Sequence, residues 1–207
     1  MGDPHLIADD EVIDRARTRE RDALGELWRI YHPQLLRFLR TKRTDSVDDV
    51  ASQVWIDVGR AIGEFVGGGR EFQRWIFAIA HRRSVDEGRR SGRRREVLIE
   101  SPDHVATDPH PPDSVDGGID AAVEMMATLP PQMAEAVMLR VVYGLSVDET
   151  AEIMSTTAAN VRVLTHRGLG KLRIRLERAR NATASTEDTI AKTSLQSVSD
   201  PTFIRNL

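Results

Sequence analysis

The side chains best suited to a specific chemical task lie between positions 160 and 173, where Asn and several basic residues recur. Arg can form two hydrogen bonds with guanine and Asn two with adenine, while basic residues further along a helix reach DNA phosphates. A stripe of Val161, Leu164, Gly168, Leu172 and Leu176 would face inward on a helix and leave the other positions around the rest. The candidates for contact with duplex DNA are therefore Asn160, Arg162, Val163, His166, Arg167, Lys171 and Arg173.

A tight pair of helices would present these side chains to a DNA groove. Ser146 and Glu149 have the spacing of a capping box, so a short helix should begin after Ser146. Residues 155–157 supply a turn and a new N-cap, and a longer helix is predicted from about Ala158 to Glu177. This pattern predicts a helix-turn-helix, with small Ala151 where the helices cross. The alternative is a surface helix whose charges are only solvated.

The charge of the chain is unevenly distributed, although the net charge is only −3. Residues 14–95 carry a net charge of +7, while residues 96–118 contain six acids and no Lys or Arg. A basic segment followed by a purely acidic one points to nucleic acid as a partner of the first. A solvated helix face beside a solvated linker is the alternative for the charge pattern alone.

Catalytic and metal chemistry are not expected. The chain has no cysteine, and its six histidines, at positions 5, 32, 81, 104, 110 and 166, show no metal-ligand spacing. There is no Walker-type phosphate loop, and residues 67–69 (GGG) follow a predicted helix rather than a strand. We therefore predict a protein that is not an enzyme and has neither a cofactor nor a metal site. No apolar run approaches the roughly 20 residues of a membrane span, which predicts a cytoplasmic protein without membrane insertion.

The elements that position these residues are predicted to be helices, and the fold class to be all-α. Apolar residues recur at three- and four-residue steps from Asp22 to Leu39, from about Ser46 to Phe65 and from about Arg70 onwards. Pro33 should kink or interrupt the first of these helices. A helical pattern resumes at Ile119, breaks at Leu129-Pro130, and continues from Pro131 to a C-terminal cap at Gly144.

Composition divides the chain into five segments, with two small helical domains joined by an acidic flexible linker. The last segment is rich in Ser and Thr and is predicted to be a mobile tail, with a short packed piece near Phe203 and Ile204. The segments are an acidic arm over 1–13, a basic helical domain over 14–95, the acidic linker over 96–118, a helix-turn-helix domain over 119–180 and the tail over 181–207.

This arrangement resembles the extracytoplasmic-function sigma factors of bacterial RNA polymerase, over about residues 14–180. Four pieces of sequence carry the resemblance in the family's order and spacing. They are Asp22-Ala23-Leu24 with residues 35–39 (LLRFL), Asp48-Asp49-Val50 with residues 58–62 (VGRAI), residues 72–80 (FQRWIFAIA) and residues 161–169 (VRVLTHRGL).

The resemblance implies an alternative sigma factor that starts transcription of a specific regulon. Its first domain, corresponding to sigma region 2, would bind the polymerase clamp and the minus-10 promoter element, and its second, region 4, the flap and the minus-35 element. The resemblance places core-enzyme contacts at Asp48, Asp49 and Gln53. It places a pocket for a flipped minus-10 base in the loop from Phe65 to Glu71, and base capture would then drive melting of the DNA. The minus-10 contacts are Phe65, Arg70, Phe72, Arg74, Trp75, His81, Arg82, Arg83, Arg89 and Arg90.

Two further interpretations concern the molecules that the chain binds. The family implies an anti-sigma protein as a restraint, often a membrane-bound one. The alternative function is a stand-alone helix-turn-helix regulator that binds DNA without polymerase, its N-terminal bundle serving for dimerisation or sensing. Trp75, Phe77 and the glycine loop before them favour the sigma factor, since a reader of duplex DNA alone has no use for a single-strand pocket.

Overall fold

A computed structural model describes residues 6–42, 46–98 and 117–198, with side chains described at 6–42, 46–91, 121–178 and 180. These residues form helices and no strand, and the predicted all-α fold is confirmed. The helices are α1 (Asp10–Arg17), α2 (Arg21–Thr41), α3 (Val47–Ala61), α4 (Gly69–Leu98), α5 (Gly117–Ala127), α6 (Pro131–Val137), α7 (Val147–Ile153) and α8 (Ala158–Val198). A 3₁₀ turn covers Ile62–Glu64 and a π-helical turn covers Met138–Val142.

The described residues up to Gly168 form one compact unit, and the described residues from Leu169 onwards form a second. The first unit contains helices of both predicted domains, since α2 packs against α3, α4, α5 and α6, and α4 packs against α7. The predicted linker lies mostly at 99–116, outside the described residues.

The N-terminal part of the core is built on aromatic side chains from α2 and α4. Tyr31 and Phe72 are fully buried with ring centroids 5.1 Å apart, and Phe38 lies 5.3 Å from Phe77. The Tyr31 hydroxyl accepts a hydrogen bond from Ala8 N and donates one to Gly69 O, each at 3.1 Å. Burial raises the pKa of Tyr31 to about 12, so this hydroxyl stays protonated and joins the N-terminal segment to the start of α4.

The N-terminal segment differs from the acidic arm expected over residues 1–13. Helix α1 begins at Asp10, crosses the predicted boundary and buries Val12, Ile13 and Ala16. These three buried residues are spaced by one and three positions, so they lie on one face of the helix. The predicted domain boundary after residue 13, which was drawn from charge alone, divides this face. The acidic residues Asp10 and Glu11 lie in the first turn of α1, where the helix dipole favours negative charge.

Pro33 was expected to kink or interrupt its helix. The interruption is wrong, because α2 runs through Pro33 without a break, and the kink stays a prediction. Proline cannot donate a main-chain hydrogen bond, so one carbonyl of the preceding turn loses its usual partner. The buried side chain of Gln34 donates to Ile30 O at 3.2 Å and to Leu6 O at 2.9 Å beside this turn. Packing on both sides of α2 therefore retains a helix that local propensity disfavours.

The helix predicted to stop near Glu177 continues further. Helix α8 extends to Val198, so the predicted tail is helical from residue 181 to that point, and its mobility stays a prediction. Phe203 and Ile204 lie outside the described residues. The predicted inward stripe of α8 is buried at Val161, Leu164 and Gly168 and half-buried at Leu172. Leu176 is 47% exposed, so the buried stripe ends about one turn before its predicted last residue.

Two glycines of α8 differ in their surroundings. A Cβ added at Gly168 would lie 2.7 Å from Val137 Cγ2 of α6 and 3.5 Å from Met133 O. A Cβ at Gly170 would meet no described atom within 4 Å. The first glycine is therefore needed for close approach of α8 to α6, and the second has no such role.

We expect Gly168→Ala to lower the free energy of unfolding by about 1–2 kcal/mol, because overpacking outweighs the gain in helix propensity. Gly170→Ala is the matched control and should raise it by up to about 1 kcal/mol. Urea unfolding followed by circular dichroism measures both. Equal stabilisation by the two substitutions would show that α6 yields easily to the added methyl group.

Candidate nucleic-acid interface

The helix-turn-helix begins at the predicted capping box. Glu149 N donates to Ser146 Oγ at 3.1 Å, and Ser146 N donates to the Glu149 carboxylate at 2.6 Å. Burial alone would raise the pKa of Glu149, but the hydrogen bonds from Ser146 and the charges of Arg70 and Arg74 together lower it. The predicted start of α7 is therefore confirmed, with an ionised carboxylate at its N-terminus.

The turn between α7 and α8 also has the predicted form. Ser155 adopts a left-handed φ of 51°, and Thr156 N bonds to Ala151 O at 2.9 Å. Thr157 Oγ1 accepts from Asn160 N at 3.2 Å, so Thr157 caps α8. The Asn160 side chain donates to Thr156 Oγ1 at 2.9 Å, which holds its amide at the N-terminal end of α8.

The seven predicted duplex contacts are all exposed side chains of α8. Val163 is 44% exposed, and Arg173 forms an ion pair with Glu177 at 3.1 Å. The exposed set is Asn160, Arg162, Val163, His166, Arg167, Lys171 and Arg173. The N-terminal turns of α8 thus carry hydrogen-bonding groups and one apolar group, as direct readout of base edges requires.

An open cavity of about 480 Å³ lies beside the predicted base-binding loop. Phe65 and Trp75 line it with ring centroids 5.0 Å apart and planes inclined by 30°, and Val66 on its rim is 81% exposed. Arg74 and Glu71 supply polar groups to the same walls. An aromatic cavity with polar edges is the type of site that an unstacked base requires.

Two further residues, Glu152 and Ile153 of α7, also line this cavity. The sequence analysis did not place them there. Their position follows from the packing of α7 on α4, which the predicted separation of two domains did not include.

Three of the predicted minus-10 contacts have other roles in this structure. Phe72 is fully buried among Tyr31, Phe65 and Trp75, so it packs against two of the rings that line the cavity and is not exposed itself. The Arg83 guanidinium makes two hydrogen bonds of 2.6 Å to Asp57, which fixes it against α3. His81 is the third, and its partner is a carboxylate.

The partner of His81 is Glu135, a buried residue of α6. One Glu135 oxygen lies 2.6 Å from His81 Nδ1, and the other accepts from Lys42 Nζ at 2.6 Å. Burial alone would raise the pKa of Glu135, but the hydrogen bond from His81 and the charge of Lys42 outweigh it and lower the pKa. The sequence analysis missed this cluster, although one signal was present, since Glu135 is an acid inside the apolar run 134–139.

The other predicted basic contacts lie on exposed parts of α4. Arg74 is partly exposed and belongs to the cavity, while Arg89 lies 3.9 Å from Asp86. The exposed members of the set are Arg70, Arg82, Arg89 and Arg90. They supply the positive charge that a strand leaving the cavity would need along its phosphates.

The predicted polymerase contacts lie at the start of α3. Asp48 and Asp49 are exposed in its first turn, and Gln53 is half-buried. Two large apolar side chains of α2 and α3 are also exposed, Trp28 at 48% and Ile56 at 46%. The sequence analysis missed both, since Trp28 falls within the apolar repeat of α2 and Ile56 lies outside the buried stripe of α3.

His32 links the exposed Trp28 to α3. Its ring stacks on Trp28 at 4.5 Å, and its Nδ1 accepts from Trp55 Nε1 at 3.3 Å. Burial lowers the pKa of His32, opposed by the charge of Asp48, so the neutral ring accepts this hydrogen bond at neutral pH. The aromatic side chains beside the acidic pair are thereby held in place.

Within the described ranges, no three His, Asp or Glu side chains come together as metal ligands would. Over the same residues, every helix is too short or too polar to cross a membrane.

Comparisons with known proteins point to one family. The family description "Sigma-70 region 2" matches residues 27–94, and "Sigma-70, region 4" matches residues 119–172. The chain is 31% identical over 173 residues to the ECF RNA polymerase sigma factor SigD of Mycobacterium tuberculosis, covering 79% of this chain and 82% of that protein. It is 32% identical over 167 residues to BldN of Streptomyces coelicolor, also an ECF RNA polymerase sigma factor, covering 78% of this chain and 63% of that one.

Two solved structures share the fold. One is the sigma factor RpoE in complex with the anti-sigma factor NepR from Bartonella quintana, with a TM-score of 0.60, 18% identity, and coverage of 74% of this chain and 96% of that chain. The other is CnrH in complex with the cytosolic domain of CnrY, with a TM-score of 0.55, 20% identity, and coverage of 82% of this chain and 97% of that chain.

Neighbouring arginines of α4 allow a paired test of the interface. We expect Arg82→Ala to weaken binding of a fluorescent mixed-sequence single-stranded DNA about threefold to tenfold, with little change in stability, because Arg82 is exposed. Arg83→Ala should instead lower the free energy of unfolding by about 1–2 kcal/mol, because it leaves Asp57 without its two-bond partner. Fluorescence anisotropy and urea unfolding measure the two quantities. The reverse pattern would place Arg83, and not Arg82, at the DNA.

Proposed function

This chain belongs to the extracytoplasmic-function group of the sigma-70 family, and we propose that it carries RNA polymerase to its promoters through three surfaces: the N-terminal turns of α8, the aromatic cavity beside α4, and the acidic end of α3. The family consists of transcription initiation factors rather than enzymes. The observation that carries the proposal is the presence, in one chain, of a helix-turn-helix with exposed polar groups and an aromatic cavity with basic residues. The first suits duplex DNA and the second suits an unpaired strand.

We assign recognition of the minus-35 element to α8. Arg162 has the donors that the two major-groove acceptors of guanine require, Asn160 has the donor and the acceptor that pair with N7 and N6 of adenine, and exposed Val163 suits the methyl group of thymine. His166 and Arg167 lie one turn further on, while Lys171 and Arg173 suit phosphates.

We assign capture of a minus-10 base to the cavity between Phe65 and Trp75. Unstacking a base costs a few kcal/mol, and a strand held by aromatic stacking and by arginines recovers that energy. Strand separation then needs no hydrolysis, because the energy comes from binding. Arg74 lies in the cavity wall, and Arg70, Arg82, Arg89 and Arg90 extend the positive surface.

We assign contact with the polymerase clamp to the first turns of α3 and the adjacent face of α2. Asp48 and Asp49 supply negative charge, Gln53 a half-buried amide, and Trp28 and Ile56 the apolar area that protein interfaces bury at their centre. The flap would be the partner of the helix-turn-helix domain. Since polymerase and promoter DNA are in the bacterial cytoplasm, we propose that the protein works there.

We also propose an anti-sigma protein as a partner. Of the two solved structures with the same fold, one holds a sigma factor with the anti-sigma factor NepR, and the other holds CnrH with the cytosolic domain of CnrY. The family sets this expectation, and the exposed Trp28 and Ile56 offer one place for a second protein.

A stand-alone regulator of duplex DNA is the less supported function. It accounts for α7 and α8 but gives the aromatic cavity no use. The first experiment is co-elution of the purified chain with bacterial core RNA polymerase on gel filtration, followed by transcription from genomic DNA fragments. Co-elution with new discrete transcripts supports the sigma factor. Binding to duplex DNA without co-elution supports the regulator.

The acidic pair provides a specific prediction. We expect Asp49→Lys to weaken binding to core polymerase about tenfold, because it reverses a charge at the proposed clamp contact. Asp22→Lys is the matched control, since Asp22 is an exposed acid in the first turn of α2 and carries the same helix-dipole cost. Fluorescence anisotropy of the labelled chain with core polymerase measures both. Equal weakening by the two variants would remove Asp49 from the interface.

A further inference from the structure

We infer that Thr156 is a positioning residue that makes α8 select adenine over guanine, because its hydroxyl occupies one of the two amide hydrogens of Asn160. This inference rests on the proposed role of α8 in reading the minus-35 element. It adds the residue that decides which base the Asn160 side chain accepts.

The first observation is that two consecutive threonines hold Asn160 in place. Thr157 Oγ1 accepts from Asn160 N at 3.2 Å, which fixes the main chain at the start of α8. Thr156 Oγ1 accepts from Asn160 Nδ2 at 2.9 Å, which orients the side-chain amide. Asn160 is nevertheless an exposed residue, so the rest of its amide is open to a ligand.

The second observation is that Thr156 is itself anchored. Its N–H donates to Ala151 O of α7 at 2.9 Å, and the residue is half-buried. Ser155 before it takes a left-handed φ of 51° in the turn from α7 to α8. Because a β-branched side chain has few rotamers, the Thr156 hydroxyl is held at one place beside the first turn of α8.

The donors and acceptors of the amide then determine which base it can read. An Asn side chain has two N–H donors and one carbonyl acceptor, and the bond to Thr156 uses one of the donors. One donor and one acceptor are left. Adenine offers one acceptor, N7, and one donor, the N6 amino group, at its major-groove edge, so both remaining groups of Asn160 find a partner.

Guanine does not fit the same amide. Its major-groove edge offers two acceptors, N7 and O6, and no donor. An amide with one free N–H can satisfy only one of them, and its carbonyl oxygen would be left without a donor. If the bond to Thr156 is removed, the amide regains its second N–H and can serve either base. The hydroxyl of Thr156 is therefore the group that excludes guanine.

A promoter library randomised over the minus-35 element can test this inference with the complete holoenzyme. The library is mixed with bacterial core RNA polymerase and the full-length chain, and the bound DNA is sequenced. We expect one position to be restricted to adenine with the parent chain. Asn160→Ala should remove the restriction at that position alone, which identifies the base that Asn160 reads.

Thr156→Val keeps the shape of the side chain and removes the hydroxyl. We expect it to lower the preference for adenine over guanine at the Asn160 position about tenfold and to leave the other positions unchanged. Thr156→Ser keeps the hydroxyl and should retain the preference of the parent chain. Circular dichroism verifies folding, and Thr156→Ala, which also lacks the hydroxyl, takes the place of Thr156→Val if that variant does not fold.

Thr157→Val is the matched control, because it removes the neighbouring hydroxyl, which caps the main chain of α8. Loss of a cap weakens the helix for every sequence alike, so this variant should reduce the bound fraction and leave the preference for adenine unchanged. Combining Thr156→Val with Asn160→Ala should give the base preferences of Asn160→Ala alone, since Thr156 acts through Asn160.

Selection of guanine at the Asn160 position by the parent chain would overturn the inference, as would an unchanged preference for adenine in folded Thr156→Val. A loss of affinity in Thr156→Val that is equal for all sequences would reduce Thr156 to a structural role. Failure of the proposed function looks different, because the parent chain would then enrich no minus-35 sequence with the core enzyme, and the inference would fall with it.

Discussion

A carboxylate buried between two basic side chains determines how the two halves of residues 1–168 meet. Glu135 cannot lie among the apolar residues of α6 without partners, because the desolvation of an unpaired charge would cost several kcal/mol. Lys42 from the end of α2 and His81 from the middle of α4 supply them. Once these atoms are paired at 2.6 Å, the rotation of α6 against α2 and α4 is fixed, and the Phe77–Tyr143 stack follows from it.

Helix α4 has to satisfy three environments along its circumference. One face packs into the aromatic core through Phe72 and Ile76, and another meets the second half through Phe77 and His81. The remaining face is left to exposed arginines such as Arg82. A helix with so little free surface has weak amphipathicity in its sequence.

The sequence predicts those features whose cause is local. Ser146 and Glu149 satisfy each other's backbone N–H groups three residues apart, so the start of α7 could be located without any tertiary information. Periodicity likewise identified the helices after α1 and the exposed face of α8. Phe72 and His81 could not be assigned in this way, because a residue type that suits DNA suits a core or an ion pair equally well. The interruption predicted at Pro33 and the predicted end of α8 near Glu177 were wrong, because local propensity alone does not decide where a helix stops.

The charge pattern has a consequence for sequence selectivity. A basic surface attracts any DNA strand at low ionic strength, since the phosphate term does not depend on sequence. The exposed arginines of α4, such as Arg82, are groups of this kind. Selectivity would have to come from groups that contact bases, and the described residues offer two such sets, the exposed side chains at the start of α8 and the rings of Phe65 and Trp75. The arginines alone would therefore bind DNA without distinguishing one sequence from another.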